Sequence, residues 1–139
     1  MSLFDAFRRN ADVPKDEAAA RAESIDPDLS VVRVEDARGR PIAVWSNFAI
    51  HATSFGDGNL LFSGDNPGIT AELVEDELRR GAGGRDVVNV WTNGNEGDMS
   101  AGLDERGPRA AERVGRREAE AMVAAWRRAG KRLTAKPAL

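Results

Sequence analysis

The apolar run at residues 86–91, Asp-Val-Val-Asn-Val-Trp, is the feature that most constrains how this chain can fold. A short run rich in β-branched residues is typical of a strand that is buried on both faces of a sheet. Polar and small residues follow directly, at 92–100. In α/β proteins, the loops at the carboxyl ends of such strands usually hold the chemistry. We therefore expect a layered α/β fold with a functional site near this loop.

Two more β-rich runs precede this strand, at residues 29–35 and 41–50, and the segment 36–40 between them has the composition of a turn. An antiparallel hairpin is the simplest structure for this arrangement. The twofold alternation of the second run places His51 at its end, on the same side as Trp45. His51 is therefore expected at a strand terminus.

Two long segments have the periodicity of amphipathic helices. The first is predicted to begin with Asn66 as its cap and Pro67 in its first position, and to end at Gly81. The second is predicted over residues 108–128, where Gly115 would allow the helix backbone to approach the sheet closely. Together with the strands, these helices predict a mixed β-sheet with helices packed on it.

The length, composition and net charge of the chain exclude several classes of protein. The 139 residues are enough for one modest domain, and 41% apolar with 31% charged residues is ordinary for a globular fold. No apolar run is long enough to predict a membrane span. The net charge of −3, with both signs interspersed, argues against a nucleic-acid partner. Cysteine is absent, so thiolate chemistry and disulfides are excluded.

The two ends of the chain give weaker patterns. Residues 16–24 predict a short helix or a solvated connector, and residues 131–139 a loosely ordered tail. The first nine residues reach charged positions before an apolar segment of signal-peptide length has formed, so no export signal is expected.

His51 is the only histidine of the chain. A neutral imidazole at a strand end can offer a nitrogen to Zn²⁺. A lone histidine beside an apolar strand is more often a hydrogen-bonded structural residue. On its own, His51 leaves both interpretations open.

The loop 95–100, Asn-Glu-Gly-Asp-Met-Ser, is the second concentration of reactive side chains. It does not match a nucleophile elbow, because Asp98 occupies the position where a glycine is needed for the sharp turn. A Ser–His–Asp triad of Ser100, His51 and Asp98 is conceivable, as is an ordinary turn with local hydrogen bonds. The segment 65–68 likewise has a structural explanation as a helix cap and a functional one as an anion site.

Taken together, three blocks resemble the neutral/alkaline (non-lysosomal) ceramidase family: residues 41–53, residues 59–68 and residues 95–100. Their order and approximate spacing both match. The resemblance extends more weakly upstream, over residues 26–33, and downstream to the helix containing Gly115. The histidine block and the Gly-Asp-x-Ser block are specific when they occur together.

The resemblance implies a zinc-dependent amidase that hydrolyses the N-acyl bond of ceramide, or of another N-acyl lipid, to sphingosine and a fatty acid. His51 matches a zinc ligand of the family, and Ser100 and Asp98 match the serine and aspartate of its Gly-Asp-Val-Ser-Pro-Asn motif. Zn²⁺ is the implied cofactor. The resemblance also suggests that the parent enzyme is secreted or on the cell surface.

This sequence departs from the family pattern. Ala101 and Gly102 follow Ser100 where the family usually has Pro-Asn, Met99 replaces valine, and the chain has no second histidine and no tyrosine. Since the family's other zinc ligands are not matched, we interpret residues 1–139 as part of a ceramidase-like catalytic domain, incomplete at a sheet edge that could associate. The alternatives are a catalytically inactive remnant acting as a binding or interaction module, and a small serine hydrolase.

Overall fold

The computed structural model describes residue 13 and residues 15–96, 99–101 and 105–135, with no side-chain description at 21–23. The helices and strands, in chain order, are α1 (Glu17–Glu23), β1 (Ser30–Glu35), β2 (Pro41–Phe48), α2 (Asp65–Arg79), β3 (Val88–Asn93) and α3 (Pro108–Ala129), followed by a 3-10 turn at Gly130–Arg132. The predicted strands and helices are all present, with bounds shifted by at most a few residues.

The strands of the described chain form a mixed three-stranded sheet in the order β1–β2–β3. β1 and β2 are an antiparallel hairpin, as predicted, and β3 pairs with β2 in parallel. α2 is the crossover helix that a parallel pair requires. The hairpin turn is closed by Asp36, whose carboxylate accepts hydrogen bonds from the backbone N–H groups of Arg38 and Arg40.

The hydrophobic core lies between one face of the sheet and the two long helices. Val44, at the centre of β2, is fully buried, and so are Val74 of α2 and Met122 of α3. Other members of this core are Leu78, Ala82, Val87, Ala119, Val123 and Trp126. The predicted α/β architecture is therefore confirmed, with α2 and α3 on the same side of the sheet.

The prediction that the third strand is buried on both faces is wrong for the chain as described. Val88 and Val90 are about half exposed, while Asn89 between them is buried. The side chain of Asn89 accepts a hydrogen bond from the Ser46 hydroxyl, and its backbone N–H donates to Glu75. Among the described residues, helices cover the face that carries Asn89 and not the opposite one.

Two details of the helices also differ from the predictions. α2 begins at Asp65 with Gly64 as its cap. Asn66, the predicted cap, is the second residue of the helix, and its buried side chain is hydrogen-bonded to Ser54 and Glu118. Gly115 gives a close approach to α2 rather than to the sheet, since a Cβ atom there would lie 2.8 Å from the carbonyl oxygen of Asn66. Helix–helix contact, not helix–sheet contact, is what excludes a side chain at position 115.

No helix within the described ranges has the length and apolar character needed to cross a membrane. The predicted looseness of residues 131–139 stays a prediction, because residues 136–139 lie outside the described part.

Candidate active site at the carboxyl ends of β2 and β3

The carboxyl ends of β2 and β3 bring His51 and Ser100 together. The two residues form an isolated parallel bridge, in which the backbone N–H of His51 donates to the carbonyl oxygen of Met99 over 2.8 Å. Parallel strands end at the same edge of a sheet, so the segments that leave them remain neighbours. The two predicted site residues that the structure describes are thus adjacent, about fifty positions apart in sequence.

The His51 ring lies in a half-exposed position beside a carboxylate. Its Nδ1 atom is 3.5 Å from Oε1 of Glu96, and the His51 side chain is 35% exposed. The other carboxylate oxygen of Glu96 is buried and has no hydrogen-bond partner among the described residues. Glu96 was not predicted as a site residue, although it lies in the polar loop after β3.

The Ser100 hydroxyl lies 3.4 Å from the hydroxyl of Thr53. Of the hydrogen bonds between described residues, none joins the Ser100 hydroxyl to the His51 ring, so the geometry does not favour the triad alternative. Ser100 also lines a cleft of about 390 Å³. Its apolar wall includes Pro27, Leu29, Phe48 and Ile50.

The loop after His51 is anchored to the start of α2. The Asp65 carboxylate accepts the backbone N–H groups of Ser54 and Phe55, each over 3.1 Å, and the Ser54 hydroxyl donates to the Asn66 side chain. Asp65 itself has a φ of 49°, in the left-handed region. Because this carboxylate also accepts the backbone N–H of Asn66, it occupies the helix terminus and argues against the anion-site alternative.

Behind this anchor lies Glu118 of α3, a buried acid that the sequence interpretation missed. Its carboxylate accepts a hydrogen bond from the Asn66 amide over 2.9 Å and lies 2.8 Å from the Thr70 hydroxyl. Burial raises the pKa of Glu118, and the nearby negative charge of Asp65 adds to the rise. We call Ser54, Asp65, Asn66, Thr70 and Glu118 the buried polar network.

The other side of the same loop is held by the segment before α3. Arg106 donates to the carbonyl oxygen of Thr53 over 2.6 Å, and the backbone N–H of Gly107 donates to that of Ser54 over 2.8 Å. The Thr53–Ser54 segment is therefore fixed from both sides, and with it the position of the hydroxyl that faces Ser100.

Asp98, the second predicted catalytic residue, lies outside the described residues. His51 suits the part of one zinc ligand, because its ring is accessible and Glu96 stands beside one of its two nitrogens. A zinc site needs three or four protein ligands, and the described residues contain no group of three histidine, cysteine, aspartate or glutamate side chains that could hold a metal. The described residues therefore do not make a complete zinc site by themselves.

The sequence model of the "Neutral/alkaline non-lysosomal ceramidase, N-terminal" family matches residues 4–119. The match covers both His51 and Ser100. The chain belongs to this family. The family resemblance stated from the three sequence blocks is thereby confirmed.

Several neutral ceramidases are similar to this chain. Neutral ceramidase B of Dictyostelium discoideum is 38% identical over 97 residues, which cover 68% of this chain and 13% of that protein. The neutral ceramidase of Mycobacterium tuberculosis is 35% identical over 103 residues, or 71% of this chain and 15% of that protein. This chain thus spans a small part of the length of its curated relatives.

Solved structures share the fold. A chain described as "Ceramidase complexed with C2" superposes with a TM-score of 0.67 at 24% identity, over 87% of this chain and 19% of that one. The neutral ceramidase of Pseudomonas aeruginosa gives a TM-score of 0.63 at 24% identity, over 88% and 20% respectively. The fold described above is therefore a substructure that recurs within much larger ceramidase chains.

Proposed function

We propose that this chain supplies part of the active site of a zinc-dependent amidase that hydrolyses the N-acyl bond of ceramide to sphingosine and a fatty acid. The observation that carries the proposal is the main-chain bridge between His51 and Ser100 at the ends of two parallel strands, in a member of the neutral ceramidase family. The named activities of the relatives support the substrate class.

In this proposal His51 is one zinc ligand and binds through Nε2, because Nδ1 faces Glu96. The remaining ligands come from polypeptide other than the described residues. Zinc would supply polarisation of the substrate carbonyl. Glu96 would keep the imidazole in one orientation.

Ser100 and Asp98 carry the reacting protons in this scheme. The Ser100 hydroxyl, held toward Thr53, either hydrogen-bonds to the amide while water attacks its carbonyl carbon, or attacks that carbon itself. In both cases the C–N bond breaks as Asp98 takes part in proton transfer to the leaving amine, and in the second case water then hydrolyses the acyl ester of Ser100 to release the fatty acid. The net reaction adds water across the C–N bond, giving a carboxylic acid and an amine. The apolar cleft beside Ser100 suits the fatty-acyl part of the substrate, since its wall offers aliphatic and aromatic contacts.

The direct experiment is a graft of this chain's residues 15–119 in place of the matching segment of the Pseudomonas aeruginosa neutral ceramidase, followed by an assay of ceramide hydrolysis. The expected result is an active graft that loses activity by at least about 100-fold on His51→Ala or Ser100→Ala. Asp57→Ala, an exposed change in the same loop region, is the matched control and should leave activity unchanged. Equal activity of the Ser100→Ala graft and its parent would exclude the assigned role of Ser100.

For the chain by itself we expect weak zinc binding and no turnover, because a single histidine cannot form a closed site. Titration calorimetry with Zn²⁺ and a ceramide-release assay on the 139-residue chain measure both. Binding of one zinc ion per chain together with ceramide hydrolysis would contradict the proposal that other polypeptide supplies the remaining zinc ligands.

The inactive binding module is the second candidate function. Its support is the replacement of the usual Pro-Asn after Ser100 by Ala101 and Gly102, together with the unmatched zinc ligands. The graft separates the two candidates: a folded graft that binds zinc but does not hydrolyse ceramide would favour the binding module. A secreted or cell-surface location and association through a sheet edge stay predictions.

A further inference from the structure

The hydroxyl of Thr70, inside the buried polar network, has three oxygen neighbours. It lies 2.8 Å from the carbonyl oxygen of Asn66, 2.8 Å from Oε2 of Glu118 and 3.2 Å from the carbonyl oxygen of Gly115. A hydroxyl carries one proton, and carbonyl and carboxylate oxygens only accept. Both short contacts are therefore hydrogen bonds only if Glu118 carries a proton and donates it to Thr70, whose own proton goes to Asn66.

A protonated Glu118 completes a chain of hydrogen bonds that runs in one direction. The Ser54 hydroxyl donates to the side-chain oxygen of Asn66 over 3.1 Å, and the Asn66 amide donates to Oε1 of Glu118 over 2.9 Å. Oε2 of Glu118 then donates to Thr70, and Thr70 donates to the backbone carbonyl of Asn66. All four residues are at most 6% exposed. Because buried polar groups are costly to leave unpaired, this chain holds its members in one arrangement.

The charge distribution also favours the protonated form. Burial raises the pKa of Glu118, and the negative charge of Asp65 raises it further. Asp65 accepts the backbone N–H groups of Ser54, Phe55 and Asn66, which favour its own ionised form. An ionised Glu118 would therefore add a second negative charge to the same buried network.

The Ser54 end of the chain reaches the candidate active site. Ser54 directly follows Thr53, whose hydroxyl lies 3.4 Å from that of Ser100. The hydroxyl of Ser54 is fixed by the network, so the backbone that carries Thr53 is fixed with it. Glu118 also contributes to the wall of the cleft that Ser100 lines. A change at Glu118 can therefore reach Ser100 through Asn66 and Ser54.

We infer that Glu118, in its protonated form, is a positioning residue of the active site. It acts through Asn66 and Ser54 and is not itself a reacting group. The hydroxyls that it keeps together are those of Thr53 and Ser100. The chemical role of this hydroxyl pair rests on the proposed function, whereas its placement by Glu118 does not.

The first test replaces Glu118 in the full 139-residue chain. Glu118→Gln keeps one acceptor and one donor where the protonated acid has them, whereas Glu118→Leu has a similar volume and forms no side-chain hydrogen bond. The readout is amide hydrogen exchange, followed by NMR, at Ser54 and Phe55, whose N–H groups donate to Asp65. Both amides should exchange on the order of tenfold faster in the leucine variant and at the parental rate in the glutamine variant.

Gly94 provides the internal control for this test. Its N–H donates to the carbonyl oxygen of Phe48, outside the buried polar network, and its exchange rate should be the same in all three proteins. Parental exchange at Ser54 and Phe55 in the leucine variant would overturn the inference. Equal acceleration in the glutamine and leucine variants would also overturn it, because glutamine reproduces the hydrogen bonds of the protonated acid and not those of the carboxylate.

The second test measures ceramide hydrolysis by the graft described above. Glu118→Leu should lower kcat by about 10- to 100-fold and change KM by less than about twofold, because it displaces reacting groups more than it weakens lipid binding. Glu118→Gln should keep kcat within about threefold of the parent graft. Val123→Ala, a core change on the same helix, is the control, since it destabilises the protein through a cavity and should leave kcat unchanged.

The two tests separate this inference from the proposed function. An inactive parent graft would overturn the proposed function, and the exchange rates in the chain would still decide whether Glu118 places the hydroxyl pair. An active parent graft whose kcat is unchanged by Glu118→Leu would overturn the inference and leave the proposed function intact.

A second variant keeps both tests decisive if the leucine variant does not fold. Ser54→Ala removes only the hydroxyl that links the network to the loop, so it leaves the bonds between Glu118, Asn66 and Thr70 in place. It should accelerate exchange at Phe55 and lower kcat in the graft, as the leucine variant does. Parental values of both quantities in Ser54→Ala would overturn the inference.

Discussion

Glu118 gives the fold a pH dependence that one substitution can remove. Its pKa is raised in the folded state, mainly by burial, so the folded protein holds this proton more tightly than the unfolded chain does. The stability that the protonated Glu118 contributes is fully present below the ordinary glutamate pKa of 4.5. It is lost as the pH rises through the higher pKa that Glu118 has in the folded state. The free energy of unfolding of the parent, relative to Glu118→Gln, should therefore fall as the pH rises above 4.5.

Urea unfolding of both proteins across this pH range measures the effect. Glu120→Gln is the control, because Glu120 lies on the same helix and is exposed. Parallel stability curves for the parent and Glu118→Gln would show that this carboxyl does not carry the dependence. Asp65, whose negative charge also raises the pKa of Glu118, is unchanged in all three proteins.

Gly115 is required by the contact between α3 and α2. A Cβ atom at this position would lie 2.9 Å from the side chain of Ile69, as well as against the Asn66 carbonyl. Gly115→Ala should destabilise the protein by about 1–3 kcal/mol, since the helices must separate to make room. Gly68→Ala, where no atom lies within 4 Å of the added carbon, should be neutral or stabilising by up to about 1 kcal/mol. Thermal unfolding of the two variants compares them directly.

At the scale of the elements, Asp36 joins the β1–β2 turn to the segment before β3. Its carboxylate accepts from the Arg40 side chain over 2.8 Å and from Arg85 over 2.9 Å, and these bonds hold the pKa of Asp36 well below its usual range. The stability that the ionised Asp36 contributes is present above the ordinary aspartate pKa of 3.8. It is lost as the pH falls below that value toward the lower pKa that Asp36 has in the folded state.

Asp36→Asn should therefore be less stable than the parent at pH 7, and the difference should shrink as the solution is acidified below about pH 4. Chemical unfolding at pH 7, 5 and 3 measures the difference, with Asp57→Asn as an exposed control. A difference that stayed constant with pH would mean that the turn is held by hydrogen bonds alone.

At the scale of the whole molecule, the central strand should be the most protected element. β2 is bonded on both sides, whereas β1 and β3 each have one free edge within the described sheet. Amide hydrogen exchange followed by NMR should therefore be slowest in β2 and in the core-facing turns of α2 and α3. Uniform protection across the three strands would indicate that the edges are covered in solution.

The sequence predicted the elements well because they depend on local patterns: alternation in the hairpin and a helical stripe in α3. It failed where the outcome depends on distant atoms. Asn66 has every local property of a cap, yet its amide binds Glu118, 52 residues away. His51 and the loop of Ser100 were each placed after a predicted strand, but their pairing depends on β2 and β3 being parallel neighbours, which no local pattern predicts. The placement of Glu96 and the network around Glu118 depends on side-chain packing that no periodicity reports.

The contact between His51 and Ser100 is made by peptide groups and not by the side chains themselves. The scaffold therefore does not depend on which functional groups it displays. During evolution either residue could be exchanged for another of similar size, and the backbone bridge would persist while the chemistry of the site changed. An inert descendant and a working enzyme could thus share one backbone.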